Sequence, residues 1–193
     1  MVAFATRPTK VRRPRVFTPE EFERLEDSVA YEIREDGTLE LRNMGQNSDW
    51  IASRLITRLN LHDADQKRAF INGGGTGLQV FKGRPRRIPR ADVVYIQRAR
   101  QPQGVTQQGF LTVVPDLVAE VVSPGDKAED LQAKVREYLD AGVPLVWVLY
   151  PRTRTVEVFG QAGVRATLGP DDMLTGGEVV PGFSVKVAEL FDD

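Results

Sequence analysis

Two acids of this 193-residue chain stand where acids are expensive. Glu120 lies inside Leu117-Val118-Ala119-Glu120-Val121-Val122, and Asp92 opens Asp92-Val93-Val94-Tyr95-Ile96. Both runs read as buried strands, where an isolated carboxylate is costly even after relaxation. Such a group keeps its charge only when a partner or a metal cancels it. Two of them on neighbouring central strands suggest one shared divalent cation, and oxygen ligands suit Mg²⁺ or Mn²⁺. The competing reading is that each acid pairs separately with a buried arginine or sits at a strand end. A third group stands near them in the chain. In the helix predicted over 127–141, Leu131, Val135, Tyr138 and Leu139 form the apolar stripe, and Lys134 falls at its edge. Its stem can lie along the helix–sheet interface while its ammonium reaches the strand end, although an ordinary snorkelling lysine has the same spacing. Other chemistries are narrowed by composition. The chain has no cysteine and one histidine, His62, which excludes disulfides, thiol catalysis, Cys-type zinc sites and a His-rich metal site. A Ser-His-Asp triad would have to use that single ring.

The elements that must position these groups follow from pattern. Glu120 sits in a nearly continuous apolar run, Val113 to Val122, which suits a central strand covered on both faces. Ser123-Pro124-Gly125 ends it, Asp126 caps the next helix with Glu129 at the capping-box position, and Gly142 stops that helix. Leu145 to Tyr150 is the next buried strand. Strand, helix, strand with one crossover helix implies a parallel pair, and the crossover lays Lys134 back against the Glu120 strand. Thr155 to Phe159 follows as a strand, and the tail from Pro181 to Phe191 reads as one more strand and a closing turn. Upstream, Thr18-Pro19-Glu20-Glu21 is a capping box opening a short helix with Phe22 and Leu25 on its apolar face. Tyr31 to Leu41 reads as a β-hairpin turning at Asp36-Gly37. Trp50, Ile51, Leu55, Ile56 and Leu59 give an amphipathic helix from about 48 to 61. Leu78–Phe81 and Ile88–Ile96 read as strands joined by a basic turn, and 97–109 as a Gln-rich loop. Gly73 to Gly77 lacks the Lys-Ser/Thr of a phosphate loop and reads as a flexible turn. His62 reads as a surface or capping residue, and Trp147 as core.

Hydrophobic residues make up 41% and charged residues 27%, so the chain can build one sizeable core. We expect a single domain over 17–193 preceded by a basic flexible arm, 1–16, that lacks the apolar core of a signal peptide. No apolar run is long enough to span a membrane, and the expected location is cytoplasmic. The net charge of −1 produces no global attraction for nucleic acid, but charge is unevenly placed. Residues 82–100 hold Lys82, Arg84, Arg86, Arg87, Arg90, Arg98 and Arg100 against Asp92 alone. That stretch is either a phosphate footprint, with Lys82, Arg84, Arg86 and Arg87 as candidate nucleic-acid contacts, or a solvated turn.

The order Asp, strand-borne Glu, nearby Lys resembles the PD-(D/E)XK restriction-endonuclease-like superfamily. More narrowly the chain resembles the Uma-type restriction-endonuclease family of bacteria. The matching segments are Tyr31–Gly37, Ala91–Val94, Pro115-Asp-Leu-Val-Ala-Glu-Val-Val-Ser-Pro124, Lys134-Val-Arg-Glu-Tyr-Leu-Asp-Ala-Gly142, Val146–Val148 and Pro181–Phe183. The resemblance covers about 18 to 191. It implies an α/β fold with a central mixed β-sheet flanked by helices and an N-terminal β-hairpin extension. It implies a Mg²⁺- or Mn²⁺-dependent endonuclease that hydrolyses phosphodiester bonds in DNA. By the same resemblance Asp92 and Glu120 are metal ligands, the Val121 carbonyl adds a third oxygen, and Glu32 stands at the site's edge. The lysine usually two residues after the glutamate is replaced by Val122, and its place is taken by Lys134 on the helix. Ala91 replaces the commoner proline, and a histidine often found near 47–50 is absent. By analogy with enzymes that cut both strands of a duplex, a homodimer or higher oligomer is expected. The rival is a catalytically inactive nucleic-acid-binding or protein-interaction module on the same fold.

Overall fold

The computed structural model describes residues 15–42, 45–65, 67–106 and 108–192. The basic arm expected over 1–16 therefore lies outside the described residues except for Arg15 and Val16. A six-stranded mixed sheet forms the centre, in spatial order β3 (Ala69–Gly73), β4 (Val93–Gln97), β5 (Leu117–Val121), β6 (Leu145–Tyr150), β7 (Thr155–Gly160) and β8 (Gly163–Leu168). β5 and β6 are parallel and the remaining neighbours antiparallel, as the single crossover requires. The crossover is α3 (Ala128–Asp140), which packs on one face of the sheet, while α2 (Gln46–His62) packs on the other.

Strand alternation sorts the core between the two helices. Val94, Ile96, Val118, Val146 and Val148 point to the α3 side, where they meet Val135 and Tyr138. Val93, Tyr95, Leu117, Ala119, Val121 and Trp147 point to the α2 side, against Ile51, Leu55 and Leu59. Asp92 and Glu120 share the parity of the α3 face.

A small layer precedes the sheet. α1 (Pro19–Glu23) has the capping box expected of it, with the Thr18 hydroxyl accepting from the Glu21 N–H at 3.2 Å and Glu21 accepting from the Thr18 N–H at 2.9 Å. β1 (Tyr31–Ile33) and β2 (Leu39–Leu41) form the expected hairpin, turned through Gly37 at φ +85°. A bridge from Ile33 to Ile88 docks this hairpin on the body of the protein.

Several details depart from the pattern reading. The strands expected at Leu78–Phe81 and Ile88–Ile96 shorten to isolated bridges at Gly77, Leu78, Ile88 and Arg90, and the ladder begins at Val93. Pro85 and Pro89 supply no N–H to a ladder there. Asp126 does not cap α3. It accepts the Ser123 N–H at 2.7 Å within the preceding turn, and extended Lys127 occupies the cap position. Gly142 ends α3 at φ +98°, as expected. β8 has no counterpart in the pattern of the sequence, and the tail is a hairpin of β9 (Met173–Gly176) and β10 (Val180–Lys186) followed by α4 (Ala188–Phe191). Among the described residues no helix is long and apolar enough to cross a membrane.

Candidate active-site cleft

Register brings the two acids together. Val93 pairs with Ala119 across the antiparallel β4–β5 ladder, so one step further Asp92 stands opposite Glu120. The Val121 N–H donates to Asp92 Oδ2 at 2.8 Å, which ties the end of one strand to the other. Both carboxylates line one cleft of about 430 Å³ with Val121, Glu32, Arg42, Arg90, Lys127 and Lys134.

The crossover helix covers Glu120 from above. Lys134 and Tyr138, one helical turn apart, both reach it. The Tyr138 hydroxyl donates to Glu120 Oε1 at 2.6 Å, and the Lys134 ammonium lies 3.1 Å from Oε1 and 3.3 Å from Oε2. Lys134 also donates to Glu32 Oε1 at 2.8 Å and to the Arg90 carbonyl at 3.1 Å. An ammonium has three donors, so these contacts use all of them.

Glu32 enters from the docked hairpin. It accepts the Arg90 N–H at 3.1 Å and faces Arg87 at 3.5 Å. Arg87 in turn donates to Glu137 at 2.9 Å, and Glu137 and Glu35 both hold Arg84, at 2.5 and 2.9 Å. A chain of alternating charges thus runs from Lys134 through Glu32, Arg87, Glu137 and Arg84 to Glu35.

This chain shows where two of the four candidate phosphate contacts sit. Arg87 is buried and Arg84 half-buried, and both are paired with carboxylates within the protein. Sequence position showed the cluster of bases but not their partners on the hairpin and on α3. Lys82 and Arg86 do stand exposed.

The electrostatics follow from this packing. Burial pushes the Glu120 carboxyl up to about 7, with Asp92 and Glu32 adding repulsion, although the Lys134 ammonium pulls the other way. Burial also raises Asp92, against the Val121 N–H, Lys134 and Arg42. For Glu32, burial is outweighed by Lys134, Arg87 and the Arg90 N–H, and its carboxyl stays below the ordinary range. Burial disfavours the Lys134 charge, but Glu120 and Glu32 more than offset it and hold the ammonium above its ordinary value.

Three site residues escaped the sequence reading. By its spacing Tyr138 belongs to the apolar stripe, and its hydroxyl one turn beyond Lys134 is the available signal. Arg42, at the end of the hairpin, lies 3.3 Å from Asp92 Oδ1. A Cβ at Gly74 would sit 3.0 Å from that guanidinium, so the glycine turn leaves the space Arg42 occupies. Arg90 is buried and donates to the carbonyls of Tyr31 and Gly75, which its neighbouring bases gave no reason to expect. His62 sits in the last turn of α2 with Nε2 3.0 Å from the Pro181 carbonyl, and Trp147 is fully buried.

The donor set is compatible with a hard divalent cation. Among the described residues no group of three or more acidic, histidine or cysteine side chains forms a ready-made cage. Two opposed carboxylates lining a polar cleft with one backbone segment nonetheless match what Mg²⁺ takes, since it keeps several waters and binds through one or two carboxylates. Each carboxylate offers about four lone-pair positions, so the contacts above leave acceptor capacity on both.

The Uma2 family, described as "Putative restriction endonuclease", matches residues 19–188. Among solved structures, a chain described as a putative nuclease belonging to DUF820, from Anabaena variabilis ATCC 29413, has the same fold. The similarity has a TM-score of 0.74 and covers 91% of this chain and 97% of that one, at 22% identity. No curated protein matches the chain.

Proposed function

The chain belongs to the Uma2 family, and from that premise we propose that it is a Mg²⁺- or Mn²⁺-dependent endonuclease hydrolysing DNA phosphodiester bonds in the cytoplasm. The observation that carries this reading is the meeting of Asp92, Glu120 and Lys134 in one cleft. Asp92, Glu120 and the Val121 carbonyl would hold the ion, which when bound supplies Lewis-acid polarisation of the phosphate. Glu32 holds Lys134 at the edge of the site. The Lys134 ammonium orients the attacking water and offsets charge that develops on the phosphate. An incoming oxygen competes with the longest of its contacts, the 3.3 Å hydrogen bond to Glu120 Oε2. Lys82 and Arg86 are the proposed contacts to backbone phosphates, and a homodimer or higher oligomer places two sites on a duplex.

Plasmid nicking tests the reading. Cleavage should need Mg²⁺ or Mn²⁺, stop with chelator, and be lost in Asp92→Ala. Calorimetry should show Mn²⁺ binding by wild type and none by that variant. A protein that binds DNA or a protein partner but cuts neither DNA nor RNA with either metal would establish the inactive-module reading instead.

A further inference from the structure

Tyr138 presents a hydroxyl where packing does not call for one. The residue is fully buried among Val118, Val146, Val148 and Val135, with its ring 6.3 Å from that of Phe81. A phenylalanine would fill nearly the same volume without carrying a polar group into an aliphatic layer. A hydroxyl there is tolerated when it is hydrogen-bonded, and its partner is Glu120 Oε1 at 2.6 Å.

We propose that Tyr138 is the positioning residue of the cleft: its hydroxyl fixes the Glu120 carboxylate so that Oε2 is the oxygen offered to a divalent cation alongside Asp92. The inference rests on the metal-dependent reading above. Glu120 has three side-chain torsions, and the two oxygens of a free carboxylate are interchangeable. The structure makes them different. Oε1 takes the short hydrogen bond from Tyr138 beneath α3, while the hydrogen bond reaching Oε2 is the longer one from Lys134. Tyr138 and Lys134 stand one turn apart on the same helix, so α3 grips the carboxylate at two points and removes its rotational freedom. The tyrosine is uncharged, so it orders Glu120 without adding a cation that would repel the metal. Partners of this kind orient the groups that touch the ion, and their loss typically weakens metal binding about 10–100-fold.

The test is Mn²⁺ calorimetry on the full chain, with urea unfolding of each variant in the absence of metal. Tyr138→Phe should fold and bind Mn²⁺ about 10-fold more weakly, with kcat for nicking reduced and KM for DNA unchanged. Placing p-aminophenylalanine at 138, which restores a donor at the same position, should return the Kd to within about threefold of wild type. Val135→Ala removes buried volume from the same helix; it should lower stability and leave the Kd unmoved. An unchanged Kd in Tyr138→Phe overturns the proposal. So does a donor-bearing variant as weak as phenylalanine, or a Val135→Ala variant that loses as much affinity. Absence of Mn²⁺ binding in wild type is a separate result, and it overturns the metal-dependent reading together with this proposal.

Discussion

Replacing Lys134 with methionine removes an ammonium that stands between two buried carboxylates. Its Nζ lies 2.8 Å from Glu32 and 3.1 Å from Glu120, with 18% of the lysine side chain exposed and 9% and 8% of the glutamates. With charge centres about 4 Å apart and an effective dielectric of about 20, each attraction is worth about 4 kcal/mol. The lysine's own dehydration, absent in the variant, takes back much of this. The expected net loss is about 3–5 kcal/mol, as for other buried pairs broken from one side. Methionine is unbranched and forms helix almost as well as lysine, so α3 should persist. The loss should also depend on pH. Glu120 has its carboxyl raised from 4.5 to about 7 in the fold, so its stabilising contribution is full below about 4.5 and is lost as pH rises through about 7. Without Lys134 that carboxyl rises further, and ionising it costs more. Glu32 has the opposite sign, because its lowered carboxyl stabilises above its ordinary range and stops doing so as pH falls. A deficit therefore remains in acid, from Glu32, but it should be about 1–2 kcal/mol larger at pH 8.5 than at pH 5.5. Urea unfolding followed by circular dichroism and by tryptophan fluorescence at both pH values reads this directly. Equal stability of variant and wild type at both pH values, or a deficit that narrows as pH rises, refutes the coupling of Lys134 to Glu120.

Three further outcomes follow from the charge network and the proposed function. Arg87→Gln takes one of two cationic partners from Glu32 and from Glu137, which keep Lys134 and Arg84, and weakens the contact to the Ile33 carbonyl; it should cost about 1–3 kcal/mol and expose the 31–41 hairpin to trypsin first, as limited proteolysis would show. Changing Lys82 and Arg86 together to glutamine should leave stability within about 0.5 kcal/mol, weaken DNA binding and lower its log–log salt slope by up to about 2, and an unchanged slope removes them from the interface. Light scattering at micromolar concentration should give at least twice the chain mass of 21.5 kDa, and a monomer mass contradicts the oligomer.

Glu120 and Asp92 were visible in the chain itself because the cost of burying charge is local: an acid inside an apolar run calls for an explanation wherever it falls. The crossover was visible for a similar reason. Hydrophobic runs of strand length on either side of an amphipathic helix leave one economical topology, and that topology returned Lys134 to the Glu120 strand. The hairpin and both helix-bearing faces of the sheet follow from the same short-range rules. Partners at long range do not. Arg87 and Glu137 stand fifty residues apart in the chain, and Lys134 and Glu32 one hundred and two. A run of arginines has the same pattern whether it faces solvent or a layer of carboxylates, so the basic stretch at 82–90 could not reveal that Arg84 and Arg87 bind the hairpin to α3. The hydroxyl of Tyr138 was likewise indistinguishable from an aromatic core residue, because helical periodicity records which face a side chain occupies and carries no information on what lies across from it. Only the folded register, which sets Asp92 opposite Glu120 and lowers α3 onto Glu120, gives those polar atoms their partners.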